Sequence, residues 1–511
     1  MKYVKLAAMA NIMVKMLFPI LAARVNAYEP EPNRDRAADI SSRLQLFVDR
    51  KLIDTLKGLE LRLHPPVKAP LPASPLKGGY ATVIKDGDIY RAYYRDVAAG
   101  YTGRRNYSGH PGEITCYAES CDGHEWTFPR LGIFEINGTR ENNAVLAGQP
   151  PFSHNFSPFL DTRPGVPLDE RFKALAGHPG FQRKVKADGL HAFVSADGIK
   201  WRKRDNFAVI PYDPLWSHAF DSQNVSFWSE AEGLYVCYFR TWAPYRGGQS
   251  ASPGAAAGGN TGRTGESGHG GQLRTISRTT SPDFRNWSKP VAMNPNLPGE
   301  HLYTSQVHPY FRAPHIYIAL PTRYIAGRVG VEKTDAMLGS TDILFMTTRA
   351  GSESFNRLFT EAFIRPGLDP ERWASRANYA ALNVVPTGDS EMSVYHARSG
   401  CRYVLRTDGF ISVRAGAKEG ELITKPFVFA GDTLVLNVST SAAGSLRVEI
   451  QNPGGTPIEG FSLENCPEIT CDKIEQSVAW KGNPGLGALA GKPVRLRIVM
   501  READLYSFRF L

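Results

Sequence analysis

No two of the six cysteines are spaced Cys-x2-Cys, and none joins a histidine at zinc-ligand spacing, so a zinc-knit fold is excluded. No apolar run is long enough to span a bilayer; the best, Met16 to Ala23, is short and follows Lys15. The formal charge of +10 is not gathered into a basic run or helix, which argues against nucleic acid as the partner. The Gly/Ser/Ala-rich stretch 246–271, RGGQSASPGAAAGGNTGRTGESGHGG, has no Walker-type Gly-Lys-Ser/Thr ending and so does not read as a phosphate cradle. Almost free of large apolar residues, it reads as a mobile surface insertion.

What the chain does have is glycine (48), proline (36) and frequent aromatics, a composition suited to many short strands joined by turns. At 511 residues it holds a large core and a second domain. The all-β pattern is repetitive. Asp221 to Trp242 begins with an acid, alternates through Val225 and Phe227, turns at Glu232-Gly233 and returns as LYVCYFR, a hairpin pattern. A third segment, QLRTISRTTSPDFRNW, closes on Trp287. The same order precedes it twice, ending at Trp201 and Trp126, and follows it once in degenerate form with Phe355 in the tryptophan's place. These landmarks recur at intervals of roughly 70 to 90 residues, the mark of one supersecondary unit used several times. A fifth unit is legible in SEMSVYHA, RYVLRTD and GFISVRAG.

From Glu421 the strands lengthen and lose the Ser-x-Asp phrase, which predicts a β-sandwich. The expected organisation is therefore a signal peptide over 1–27, a polar lead-in over 28–44, a five-bladed β-propeller over 45–415 and a β-sandwich over 416–511. The early segments LQLFVDRKLID and LELRLHPPV would supply an outer strand or close the ring. Early lysines, the apolar stretch and Val25-x-Ala27 as a cleavage triplet predict a secreted or periplasmic protein with no stable membrane insertion after cleavage. In an oxidising compartment Cys116/Cys121 and Cys466/Cys471 are close enough for local disulfides, whereas Cys237 reads as a buried thiol.

In a propeller the first strands line a channel, which makes distant residues neighbours. Asp161 after SPFL, Asp221 opening DSQN and Glu391 opening EMSVY are the candidate catalytic acids, because glycoside hydrolysis needs one protonated and one ionised carboxyl group. The bland alternative for each is a turn or cap residue bonding backbone amides. Candidate substrate-binding groups are His154, Asn155, Gln223, Asn224 and His308, with Arg95, Arg240 and Arg323 at strand ends placed to grip an acidic group or to form salt bridges between blades. In the Ser-x-Asp phrases, Ser and Asp are expected to bond the turn backbone while Trp packs between blades.

Acid-led channel strands together with SADGIKW and SPDFRNW at blade ends resemble the five-bladed glycosidase propellers of glycoside hydrolase families 32 and 43, and a following sandwich resembles family 32 in particular. The resemblance implies a hydrolase of glycosyl bonds with Asp161, Asp221 and Glu391 in its acidic site and a carbohydrate substrate. No cofactor or metal is expected. The chain departs from family 32 in having no Asn-Asp-Pro-Asn or Arg-Asp-Pro stretch, and Lys77 and Tyr80 stand where a first-blade acid is expected. Two other readings stay open: a non-catalytic carbohydrate-binding propeller, and a lyase that uses His or Tyr with Arg neutralising a uronate.

Overall fold

The computed structural model describes residues 37–178, 188–213, 219–244, 272–328, 339–482 and 485–511. The signal peptide expected over 1–27 and the insertion expected over 246–271 lie outside them. Among the described residues the chain is all β, with short 3-10 turns and no α-helix.

Each sequence repeat forms its own antiparallel sheet. The first contains Gly79–Asp86, Ile89–Val97, Glu113–Ser120 and Ala144–Leu146. The second contains Ser157–Leu160, Phe172–Ala176, Gly189–Ser195 and Arg202–Lys203. The third contains Val225–Ser229, Leu234–Pro244, Gln272–Ser281 and Val291–Ala292. The degenerate fourth is reduced to His308–Tyr310, Ala313–Ala319 and Met346–Arg349, and a separate small sheet grows from its hairpin. The fifth joins Val385–Pro386, Glu391–His396 and Cys401–Arg406 to Val67–Lys68 from the start of the chain.

First strands touch in series. Ser157–Leu160 contacts both Gly79–Asp86 and Val225–Ser229, the latter contacts His308–Tyr310, and Val385–Pro386 returns to Gly79–Asp86. Thr82 also bridges to Leu382 in parallel. The closing aromatics follow the same cycle. Trp201 packs on Tyr93 of the first sheet, Phe355 on Tyr238 of the third and Trp126 on Tyr395 of the fifth, at ring distances of 6.1, 6.1 and 5.8 Å. Trp287 reaches Phe159 of the second sheet through Phe284. Large rings between sheets remove apolar area from water and fix the angle between neighbours. The Ser-x-Asp phrases are turn devices: the carboxylates of Asp122, Asp197 and Asp283 each accept a serine hydroxyl and two backbone N–H groups just downstream.

The C-terminal strands are hydrogen-bonded as one eight-stranded sheet through two long strands, Leu434–Gln451 and Arg495–Phe510. Register breaks at Asn437/Val438 and Thr440/Ser445 let the long pair bend around an apolar core that includes Phe427, Leu436, Val448 and Ile498. Ile53–Lys57 and Leu59–Leu63 belong to this sheet, because they pair with Gly420–Thr424 and Ile411–Ala415. The N-terminal segment thus splits: residues 53–63 join the C-terminal sheet and Val67–Lys68 joins the fifth. All six cysteines are unpaired, so neither pair whose spacing allows a local disulfide forms one. Cys116 is buried within its strand while Cys121 is exposed in the turn beyond; Cys466 is buried and Cys471 half-buried.

Candidate functional site

The site gathers where the second strands of the first three sheets end. Arg95, His178 and Arg240 hold corresponding places there, one per sheet, around Asp221 and His154. His154 ends the 3-10 turn Phe152–His154 and is buried. Its Nδ1 lies 3.0 Å from Glu113 Oε1, and its Nε2 lies 3.4 Å from Asp221 Oδ1. One imidazole therefore bridges two carboxylates, an arrangement that can pass a proton between them. His178 Nε2 approaches Asp221 Oδ1 to 3.1 Å, and Arg240 Nη2 donates to Asp221 Oδ2 at 2.8 Å.

Burial opposes ionisation of Asp221, but the Arg240 guanidinium and the two histidines outweigh it and hold the carboxyl well below the usual range. Glu113 is lowered in the same way, by His154, Arg95 and His110 against its own burial. Burial pushes the His178 imidazole down, only partly offset by Asp221, and favours its neutral form.

Tyr80 lies in a bulge of the first strand at φ 44°, a conformation L-residues rarely adopt. The bulge sets its ring edge-on to His154 and Tyr379, with the Arg95 guanidinium 4.6 Å over its face. Burial, then Tyr303 and Asp221, raise the Tyr80 phenol, so it is a proton donor at neutral pH. Tyr80, Tyr303, Tyr379, His110, Glu113 and Asp221 line a half-open cavity of about 600 Å³. His154, Asp221 and His178 also bring their ligating atoms within 4.8 Å of one another, the geometry of a metal-holding set. Two cations flank this set, Arg240 on the other carboxylate oxygen of Asp221, Oδ2, and Arg95 2.8 Å from the other ring nitrogen of His154, Nδ1, and their charge opposes a dication between them.

Of the three acids expected to converge, the structure places Asp221 alone on this cavity. Asp161 follows its first strand, whereas Asp221 precedes its own, so the two occupy opposite strand ends. Asp161 is sealed against Lys173 at 2.8 Å and the Tyr235 hydroxyl at 2.6 Å. Glu391 opens the second strand of its sheet, which runs back, and it is held by Arg402 at 2.7 Å away from the cavity.

Among the expected binding groups, His154 and Arg95 line the cavity, and Arg240 stands behind Asp221. Asn155 is fully buried and bonds the backbone of Gly177 and Phe220, which fixes the His178 and Asp221 loops relative to each other. Gln223 donates to Thr82 and accepts from Gln306, tying three first strands beneath the site. Asn224 bonds its own turn. His308 is buried between Gln306 O and Val384 N. Arg323 forms a bidentate pair with Asp342 on the small sheet.

Sequence reading missed Glu113, His178, Tyr303 and Tyr379. For His178 a signal exists: aligning FKALAGH with IYRAYYR and LYVCYFR places it beside Arg95 and Arg240.

No protein-family model and no curated protein matches this chain. Solved structures similar to it include the BT0996 protein in its RGII complex, at 12% identity and TM-score 0.41, covering 67% of this chain and 91% of that one. A glycoside hydrolase family 43 arabinoxylan arabinofuranohydrolase from Bacillus subtilis is 12% identical, with TM-score 0.38, covering 86% and 96%. An N-acetylgalactosamine deacetylase from F. plautii is 10% identical, with TM-score 0.36, covering 87% and 95%.

Proposed function

We propose that this chain is a carbohydrate-active enzyme that cleaves a glycosidic bond at the Asp221 cavity, its five sheets being propeller blades and its C-terminal sheet a sandwich-like support. The observation that carries the reading is the bridge Glu113–His154–Asp221 opening onto a cavity lined by four tyrosines, Tyr80, Tyr107, Tyr303 and Tyr379. Tyrosine faces and hydroxyls suit a sugar ring, whose faces are apolar and whose edges carry hydroxyls. In hydrolysis, Asp221 is the ionised carboxylate that activates water or stabilises the developing sugar cation. The leaving oxygen takes the phenolic proton of Tyr80, which regains one from the open cavity, while the proton that Asp221 draws from the attacking water passes through His154 to Glu113 and on to solvent.

A second reading, β-elimination on a uronate, is favoured by one observation. Both Glu113 and Asp221 are shifted away from the protonated form a carboxylic acid catalyst needs, while Arg95 and protonated Tyr80 stand together. The test is turnover on a panel of neutral and acidic polysaccharides with wild type, Asp221→Asn and Tyr80→Phe. Loss on the order of 100- to 10,000-fold in both variants supports a site here. Reducing ends without ultraviolet absorbance identify hydrolysis, and an absorbing unsaturated product identifies elimination. Wild-type cleavage that survives both substitutions removes the reaction from this cavity.

A further inference from the structure

The cavity is not closed at its Arg398 side. Arg398 also lines a neighbouring depression of about 400 Å³, and Arg372 and Asp369 line both that depression and a third of about 580 Å³. The shared residues make the three depressions neighbours in a row. Their charge is uneven. Arg398, Arg365 and Lys68 are exposed and have no carboxylate partner among the described residues. Arg372 is more telling: only 7% exposed, its guanidinium donates to Asn378 Oδ1, the Tyr403 hydroxyl and Arg365 O, all neutral acceptors. A buried guanidinium without a counter-ion is costly unless an anion completes it. Acids line the two depressions as well, Asp369 accepting from Glu371 N at 3.0 Å and Glu361 and Glu371 exposed, so Lys68, Arg365, Arg372 and Arg398 stand against three carboxylates.

Resting on the reading of the Asp221 cavity as a glycan site, we propose that the site continues past Arg398 as a groove that binds several consecutive units of an acidic glycan, with Arg372, Arg365 and Lys68 meeting its carboxylate or sulfate groups. Evenly spaced anions on a polymer match cations spread along a groove, and guanidinium forks suit both carboxylates and sulfates. The substrate is then a chain rather than a single sugar.

Binding is measured directly, without turnover, using size-fractionated oligogalacturonides, chondroitin sulfate oligosaccharides of matched length and neutral dextran oligosaccharides. Expected is a Kd that falls at least about tenfold from dimer to hexamer for one acidic series, weakens with salt, and is absent for dextran. Oligogalacturonides carry carboxylates alone and chondroitin sulfate carries both groups, so length dependence with the first series shows carboxylate recognition, and with the second alone it shows that carboxylates do not suffice. The Arg365→Ser/Lys68→Ser variant, changed at exposed positions, should lose the gain from length and keep dimer affinity. Length-independent binding, equal binding of dextran, no binding of either acidic series, or an unchanged variant would each overturn the groove. A protein that shows the length dependence without cleaving anything keeps the groove and loses the catalytic reading.

Discussion

Replacing Asp161 by Asn separates a structural carboxylate from a catalytic one. Its side chain is fully buried, and its Oδ2 receives the Lys173 ammonium at 2.8 Å and the Tyr235 hydroxyl at 2.6 Å. The amide keeps the size and one acceptor but leaves Lys173, itself 1% exposed, without its main counter-charge. Breaking a buried pair from one side costs about 3–5 kcal/mol, and the lower figure applies because Glu170 remains 3.4 Å from the ammonium. About 3 kcal/mol corresponds to a fall in Tm of about 3 °C for a chain of this size. Differential scanning calorimetry reads the shift, and activity per folded molecule should stay near wild type, since Asp161 does not line the cavity. Adding Lys173→Met removes the stranded charge and should recover at least half of the loss. Abolished activity at unchanged Tm would refute this placement and return Asp161 to the chemistry.

Three further outcomes follow from buried groups. Burial lowers His308 and His315 to about 4 and His396 to about 3, so the unfolded chain takes protons near pH 6.5 that the fold refuses; stability is complete above that value and falls toward pH 4, by up to about 1.4 kcal/mol per pH unit for each histidine. Thermal melts that stay flat between pH 7 and 4.5 would contradict it. Since all six cysteines are unpaired, dithiothreitol should leave Tm within about 1 °C, and a drop of the size a disulfide contributes would reveal a bond. Asp408 is buried at φ 63° and accepts from Tyr310, Asn437 and Ser507, so it ties the fourth and fifth sheets to the C-terminal sheet. Asp408→Ala should cost about 3 kcal/mol and split a single melting transition into two, and an unchanged single transition would show that the network does not couple the parts.

The sequence by itself determined the elements. Strand alternation, glycine turns and the recurring Ser-x-Asp phrase are local physics, and they located five antiparallel units, but GFISVRAG, read into the fifth, pairs in the C-terminal sheet, so the change of sheet comes before the expected boundary at 415/416. Asp221, His154 and Arg95 were also legible, because each stands at a polar break beside an apolar strand. Which polar residues meet was decided only in three dimensions. Asp161 and Asp221 look alike as acids beside channel strands, yet one follows its strand and the other precedes it, so one is buried against Lys173 and the other faces the cavity. Glu391 resembles a strand-opening acid, but it opens a returning strand, and antiparallel pairing carries it to the far end. His178 and Glu113 carry no local signature, since a histidine after a strand and a glutamate opening one are ordinary. They become a site because the sheets meet edge to edge and set Glu113, His154, Asp221 and His178 within contact of one another. The early strands followed the same rule: their alternation marked them as strands, but their partners at residues 411–424 lie some 350 residues away, and pairing over that distance is set by the fold as a whole.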